Sequence, residues 1–408
     1  MSSDVIVVGG GVAGLVAARR LALAGRNVVL LERADRLGGQ VQPLPLAGVI
    51  LDAAAESFAT RGGAVAALAG ELGLEVVSPT PAPAWLHRAD GTAVPLPVAG
   101  VLGIPGTPLA HDVVRAIGRL GAWRAALDRA LPARIGRDAA SLGALVRARM
   151  GSRVVDGLVA PVVRGVHSRE PDALPVDAVS PRLRAELAAR GSLAAAVQAL
   201  RAQAPAGTQV GGLRGGMHRL VTALAADADR LGVDVRTGVD VTALDARGVV
   251  VDGERLDGTA VRAFSAPGQR RRLTLVTLVV DAPAWDAAPR GTGLLVAADA
   301  PGVGARALTH ITAKWRWAAD ALGARHAVRL SYDGDLAGDA VACAVADAQK
   351  LLGAPVQTVT DAAVQAWERG VQPYRDDIVS VGEGVAGTGL AGVVAHAERT
   401  AAAMTTST

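Results

Sequence analysis

Aromatic residues are scarce in this 408-residue chain, with six Trp, two Tyr and two Phe, so its core must be built from Ala, Val and Leu. Cysteine is limited to Cys343. That excludes an intrachain disulfide and a cysteine-built metal site, and in the helical stretch Val341 to Leu352 the residue reads as a small buried hydrophobe. Lysine is nearly absent too: Lys314 and Lys350 are the only two, and all other basic side chains are arginines. The net charge of +4 is spread along the chain rather than clustered. Without basic clusters or stacking aromatics this is no nucleic-acid footprint; it suits an anionic small molecule, because arginine grips carboxylates bidentately. No uninterrupted apolar span reaches about 18 residues. The most apolar stretch, Thr92 to Ala110, is broken by Pro95, Pro97, Pro105 and Pro108. The N-terminus enters a strand with no basic n-region, so the sequence predicts no secretory signal and a cytoplasmic protein. Half of the residues are apolar and 20% are charged, the balance of a globular protein. The length implies about two or three domains.

What the chain does have begins at once. Val5-Ile6-Val7-Val8 reads as a fully buried parallel strand, and Gly9, Gly11 and Gly14 follow in GxGxxG spacing. A helical run, Leu15 to Ala24, then Gly25 as C-cap, leads to a second strand, Val28 to Leu31, that ends on Glu32. In such a unit the glycines serve the tight turn, the close approach of backbone to a pyrophosphate, and close helix–strand packing. The pyrophosphate rests on the helix N-terminus. Glu32, 18 residues beyond Gly14, is placed to accept from a ribose hydroxyl. Arg33, Arg36, Gly38 and Gly39 then form an R-x-G-G turn directly after the second strand. That turn favours FAD over NAD, since a plain NAD domain runs from its second strand into another crossover helix.

Further along, Val49 to Asp52 reads as a strand, and Ala53 to Phe58 lead into a helix over Gly63 to Leu72. Residues 74–98 read as a hairpin region: Leu74 to Val77, a Pro-rich turn, Ala84 to Arg88, the turn Asp90-Gly91, and Val94 to Pro97. Apolar spacing then predicts helices over Ala110 to Leu120, Ala122 to Ala130, Ser141 to Met150, Arg153 to Val163 and Ser192 to Gln203. A helix over Leu220 to Leu231 precedes strands Val233 to Arg236 and Val239 to Leu244. Leu273 to Val280 is a long β-branched strand of a second sheet, His326 to Tyr332 another, and Asp339 caps a helix that runs to Leu352. Ile378 to Val381 is a final strand, followed by Gly382, Gly384, Gly387 and Gly389 and by helix Leu390 to Met404. The N-terminus of that last helix, aimed at the N1/C2 edge of a flavin, would stabilise the negative charge of the reduced form.

At this point the chain resembles a known family, the FAD-dependent protoporphyrinogen/coproporphyrinogen III oxidases of haem biosynthesis, in their actinobacterial form. The matching blocks are GGGVAGL, Glu32-Arg33 with RLGG, LDAAAESFATR (Leu51 to Arg61), PVVRGVHSREPDAL (Pro161 to Leu174), LRGGMHRLVTAL (Leu213 to Leu224), ITAKWRW (Ile311 to Trp317), VRLSYDG (Val328 to Gly334) and VGEGVAGTGLAGVV (Val381 to Val394). The first and last are shared by many amine-oxidase-like flavoproteins, whereas GVHSREPDAL and AKWRW are more specific. The resemblance implies an α/β fold: a discontinuous Rossmann-type FAD-binding domain (residues 1–75, 206–264 and 366–408), a mixed-sheet substrate domain (76–104 and 265–365), and an α-helical insertion lobe (105–205). It implies FAD contacts at Gly9, Gly10, Gly11, Val12, Ala13, Gly14, Glu32, Arg33, Ala55, Glu56, Ser57, Val239, Thr388, Gly389 and Leu390, and Gly39 joins them through the R-x-G-G turn. The implied reaction is stepwise hydride transfer from a porphyrinogen's bridging carbons to the flavin, with O2 reoxidising it to give hydrogen peroxide. Coproporphyrinogen III is favoured over protoporphyrinogen IX.

Lys314, Arg61 and His167 are the substrate-side candidates. Lys314 is expected between strand-like segments, with Trp315 and Trp317 on one side of a strand. The family pattern is broken at Ala54, where it has glycine, at His167, where it has Tyr, and at two short segments, after Ala266-Pro267-Gly268 and after Gln372-Pro373-Tyr374. These departures keep two alternatives open: another amine-oxidase-like flavoenzyme, or a shortened non-catalytic paralogue that binds flavin or porphyrin. A monomer or homodimer and peripheral membrane contact are likewise open at this stage.

Overall fold

The computed structural model describes residues 4–132, 134–167, 169–202, 210–265, 271–369 and 377–406. Its contacts divide the chain into two units, Met1–Pro79 with Gly207–Arg271 and Glu368–Thr408, and Thr80–Ala206 with Arg272–Trp367.

The first unit is built on a five-stranded sheet. Strands Asp234–Thr237, Val28–Glu32, Val5–Val8, Thr259–Arg262 and Val379–Ser380 lie side by side in that order, each parallel to its neighbour. The two central strands explain the apolar runs at the N-terminus. Val5, Val7, Val28 and Leu30 point into a cluster with helices Val12–Leu23, His218–Arg230 and Leu390–Thr406. Ile6, Val8, Val29 and Leu31 point to the other side, against the antiparallel strands Val241–Asp245, Gly248–Val251 and Glu254–Asp257. A strand covered on both faces needs apolar residues at every position, so alternation is lost. Arg19, buried among these helices, donates to Asp227 and Glu71, and Arg20 donates to Glu71 and Glu398. The two arginines thus tie the leading helix to three others. The bond from Arg20 holds the Glu71 carboxyl below its usual range.

The second unit is a mixed sheet with a helical lobe. Seven strands run in the order Thr358–Arg369, Arg271–Asp281, His326–Asp333, Ala307–His310, Gly293–Val296, Trp85–His87 and Ala93–Pro95. Antiparallel pairing is broken by the parallel pair Gly293–Val296 and Trp85–His87. Helix Ala340–Leu352, capped by Asp339 through the amides of Val341 and Ala342, covers one face. The lobe follows the predicted helical pattern, and its core packs against Leu86 and Val94 of the sheet.

Four expectations are corrected. The hairpin region is two structures: Val76–Val77 pairs with Gly212 and Leu213 of the first unit, and only Trp85–His87 and Ala93–Pro95 form a hairpin, around Asp90-Gly91. Pro79, Pro81 and Pro83 lie between them and lack the N–H groups that a ladder requires. The break expected after Leu120 falls at Gly118, which leaves helical geometry inside His111–Ala126 with φ of 75°. The AKWRW block is no strand: Ile311–Lys314 and Arg316–Leu322 are helical, and Trp315 between them is buried. Cys343 is exposed, because Ala344, Asp347, Ala348 and Leu351 occupy the buried stripe of its helix. The short segments at Ala266-Pro267-Gly268 and Gln372-Pro373-Tyr374 lie outside the described residues. Among the described residues no helix is long and apolar enough to cross a membrane.

Two buried polar groups carry testable weight. Arg149 and Asp128 in the lobe are both fully buried and ion-paired. Arg149 also donates to the carbonyls of Asp128, Pro132, Ile135 and Gly191, while Asp128 accepts from Ser192 Oγ at 2.7 Å and Ala194 N at 2.8 Å. Asp128→Ala strands the guanidinium and is expected to cost about 3–5 kcal/mol of stability, measured by guanidinium denaturation. A loss within about 0.5 kcal/mol would contradict this.

In the sheet, fully buried His310 has Nε2 3.3 Å from His326 Nδ1, and His326 Nε2 lies 2.9 Å from Asp286 Oδ1. Burial, and then the neighbouring His326, pull the His310 pKa down to about 3. Folding therefore excludes a proton that the unfolded chain accepts, and stability falls as pH drops from about 6.5 towards 3. Between pH 7 and 5 the loss from this group is expected to reach about 2 kcal/mol at most, and His310→Gln should flatten the pH profile of chemical denaturation.

Candidate functional site

The site grows from the turn after the first strand. The Gly9 amide donates to the Leu31 carbonyl at 2.7 Å, and Gly9 takes φ of 111°, which a side chain disfavours. Gly14 answers a closer demand: a Cβ there would lie 1.9 Å from the Gly9 carbonyl oxygen, so only glycine lets the helix sit this near the strand. Gly11 is the opposite case. A Cβ there meets nothing within 4 Å, so the space before its backbone is open. Gly11 caps helix Val12–Leu23 without a side-chain hydrogen bond, and the first turn carries no acid. The first amides of a helix have no intrahelical partner and a positive dipole end, which suits an anion.

Glu32 closes this turn. Its Oε2 accepts from the Gly10 amide at 2.6 Å and its Oε1 from the Ala34 amide at 2.9 Å. Each carboxylate oxygen keeps a second lone pair for a further donor. The Val239 amide donates to the Glu32 carbonyl at 3.0 Å, which brings that predicted residue to the same edge. Gly38 donates to the Gly10 carbonyl at 2.8 Å, so the R-x-G-G turn lies against the first loop, and Gly39 is exposed beside it. Gln42 pins this turn by donating to the carbonyls of Leu37 and Gly39.

The last segment returns to the same place. A Cβ at Gly382 would lie 3.6 Å from Ala13 Cβ, and Leu390–Thr406 packs beside the leading helix with no acid in its first turn. Gly389 and Leu390 stand at its entry, preceded by Thr388. Ala55, Glu56 and Ser57 lie partly exposed between strands Val49–Asp52 and Phe58–Ala59. Arg33 is exposed.

The sequence reading missed the buttresses of this site. Asp52 accepts from the amides of Met217 and His218 and from His218 Nδ1, and so caps helix His218–Arg230. It joins the LDAAAESF and LRGGMHRL blocks, and a buried acid at a strand end is the signal that would have found it. Ala263 packs behind Gly9 and Gly14, where its small size at the end of a parallel strand was the clue.

The substrate-side candidates divide between the units. Arg61 is exposed in the first. In the second, the Lys314 ammonium lies over the Trp315 ring at 5.3 Å, and its carbonyl accepts from the Thr80 amide. His167 closes helix Ala160–His167, and its side chain lies outside the described residues. No group of three or more His, Cys, Asp or Glu among the described residues is arranged to hold a metal ion.

Comparison with known proteins matches residues 12–265 to the family of flavin-containing amine oxidoreductases. A coproporphyrinogen III oxidase of Mycobacterium leprae is 31% identical over 414 residues, which cover 94% of this chain and 89% of that protein. One of Bacillus subtilis is 32% identical over 189 residues, 44% of this chain and only 39% of that protein's length. The solved structure of a candidate protoporphyrinogen oxidase from Exiguobacterium superposes over all of both chains with a TM-score of 0.84 at 21% identity.

The two glycines make opposite predictions for the stability of the apoprotein. Gly14→Ala drives a methyl group into the Gly9 carbonyl and is expected to cost about 3 kcal/mol or more. Gly11→Ala, in extended backbone with open space before it, is expected to cost less than about 1 kcal/mol. Denaturation curves check both, and equal losses would contradict the packing assigned to Gly14.

Proposed function

The chain belongs to the flavin-containing amine oxidoreductase family, and from that premise we propose that it oxidises coproporphyrinogen III to coproporphyrin III with FAD as cofactor and O2 as acceptor. The observation that carries this reading is the near full-length match to a coproporphyrinogen III oxidase. The cofactor site supports it independently. An open, side-chain-free backbone at Gly11 and an uncapped helix N-terminus fit a pyrophosphate, and the Glu32 carboxylate fits a ribose.

When bound, FAD supplies the two-electron acceptor for C–H oxidation. The chain's own residues hold and orient. Amides from Gly11 to Gly14 would face the diphosphate, with Val12 and Ala13 opening the helix behind them, while the Gly10 amide is spent on Glu32. Glu32, fixed by Gly10 and Ala34, accepts from ribose hydroxyls through its remaining lone pairs. Arg33, Gly39 and Val239 line this end, and Ala55, Glu56 and Ser57 the path towards the ring. At the turn Thr388-Gly389-Leu390 the closing helix would offer its positive end to the ring and favour added negative charge there. Aromatisation of the macrocycle provides the driving force, so positioning is the protein's main task. Lys314, Arg61 and His167 enter this reading as substrate-side candidates.

The test is direct. Protein loaded with FAD is given coproporphyrinogen III and protoporphyrinogen IX in air, and porphyrin fluorescence is followed against a no-enzyme blank. Faster growth with coproporphyrinogen III is the expected result. No rate above the blank, in protein that retains its flavin, overturns the oxidase reading and leaves a flavin-binding paralogue.

A further inference from the structure

The helical lobe carries one element whose apolar pattern is turned outward. Gly118 breaks helix His111–Ala126, so residues 119–126 run as a helix of their own, and Leu127–Ala130 continues it as a 3₁₀ turn. Here the small residues Gly121, Ala122 and Ala125 are the buried ones. The large apolar side chains are not: Leu120 is 74% exposed, Trp123 62% and Leu127 54%. The first half of the same helix follows the ordinary rule and buries Val113 and Ile117. A single exposed leucine needs no explanation, but three large apolar side chains at helical spacing form one patch.

Their spacing of three and then four is that of a coiled-coil seam, with Leu120 and Leu127 at a positions and Trp123 at d. In that frame Arg119 falls at g and Arg124 at e, so an arginine borders the seam on each side. Arg124 is fixed there, donating to the carbonyls of Arg149 at 2.8 Å and Ala148 at 3.2 Å. Neither arginine has an acidic partner among the described residues. Between residues 120 and 131 the one acid is Asp128, and it is buried against Arg149. The Arg153 side chain lies along Gly118 and Gly121 and adds a further cation to the same helix.

In heptad pairing the a and d side chains supply the contact, and the e and g charges choose the partner. A second copy of this chain would set arginine against arginine in either orientation. An interfacial helix on a lipid surface needs a wide apolar face, whereas this seam is narrow, bounded by charge, and backed by the lobe. We propose that residues 119–127 are a docking site for an amphipathic helix of a partner protein, one whose apolar seam is flanked by glutamate or aspartate. Trp123 anchors that helix, as a large, rigid aromatic at the centre of the seam, and Arg119 and Arg124 select for acid. The surface belongs to the second unit, and the inference does not depend on the oxidase reading.

The test uses the full-length protein and a fluorescein-labelled peptide of several heptads with Leu at a and d and Glu at e and g. A peptide with Lys at e and g is the control, and binding is read by fluorescence anisotropy at low salt. The Glu peptide is expected to bind at least about tenfold more tightly than the Lys peptide, and to weaken as salt rises. Trp123→Ala is expected to weaken it about tenfold or more without lowering the melting temperature, because the side chain is exposed. Arg119→Glu, also at an exposed position, is expected to reverse the preference in favour of the Lys peptide. If Trp123→Ala does lower the melting temperature, the reversal at Arg119 decides. Equal binding of the two peptides, binding of neither, or a Glu peptide indifferent to both substitutions overturns the proposal. Two further results overturn it by naming another occupant. Sedimentation with phosphatidylglycerol vesicles that is lost in Trp123→Ala, without peptide binding, assigns the seam to a lipid surface. A wild-type dimer that Trp123→Ala dissociates assigns it to a second copy.

Discussion

The near contact between Gly14 and the Gly9 carbonyl is the constraint on which the first unit depends. It lets the leading helix sit almost on the strand that precedes it. Ala263 and Gly382 extend the same arrangement, so four small residues from three distant parts of the sequence meet where strands Val5–Val8, Thr259–Arg262 and Val379–Ser380 end. The consequence is chemical as well as steric. With no side chains in the way, what the turn presents is backbone amides, and Glu32 is held beside them by the Gly10 amide of the turn and by the Ala34 amide after its own strand. The arginine network at the other end of the leading helix, through Arg19 and Arg20, fixes the three helices that keep this arrangement closed.

Much of this half was legible in the sequence because its signals are local. Two fully apolar strands, glycines at fixed spacing and an acid after the second strand sit within about 30 residues, the span of one βαβ unit. The same held for Asp339 as a cap and for the turn at Asp90-Gly91, where adjacent residues determine the outcome. What could not be read was partner choice over long separations. Val76–Val77 looks like half of a hairpin, yet it pairs with a strand more than a hundred residues later. Cys343 failed for a different reason. Its helix was recognised, but its phase depends on which stripe meets the sheet, and Ala344 and Ala348 took that stripe. AKWRW failed because two tryptophans at spacing two fit a strand as well as they fit a helix interrupted at Trp315.

The second unit shows how polar groups behave when a core cannot avoid them. Asp128 and Arg149 are satisfied completely, by each other and by backbone, so they act as a rivet for the turn and helix on either side. His310 and His326 are joined in a chain that ends on Asp286, with Trp285 edge-on to both rings at 5.8 and 6.1 Å. Neither group was visible as a site in the sequence, since a lone Arg or His carries no sign of its depth.

The two units therefore keep their geometry by different means. The first depends on absent side chains, an arrangement that tolerates wide sequence change so long as Gly9, Gly14 and their neighbours remain small. The second depends on specific polar side chains, Asp128 with Arg149 and His310 with His326 and Asp286, each held by named partners. A substitution in the first is felt as a clash, whereas one in the second leaves a buried group without the atom that satisfied it, which is the more costly failure in a low-dielectric core.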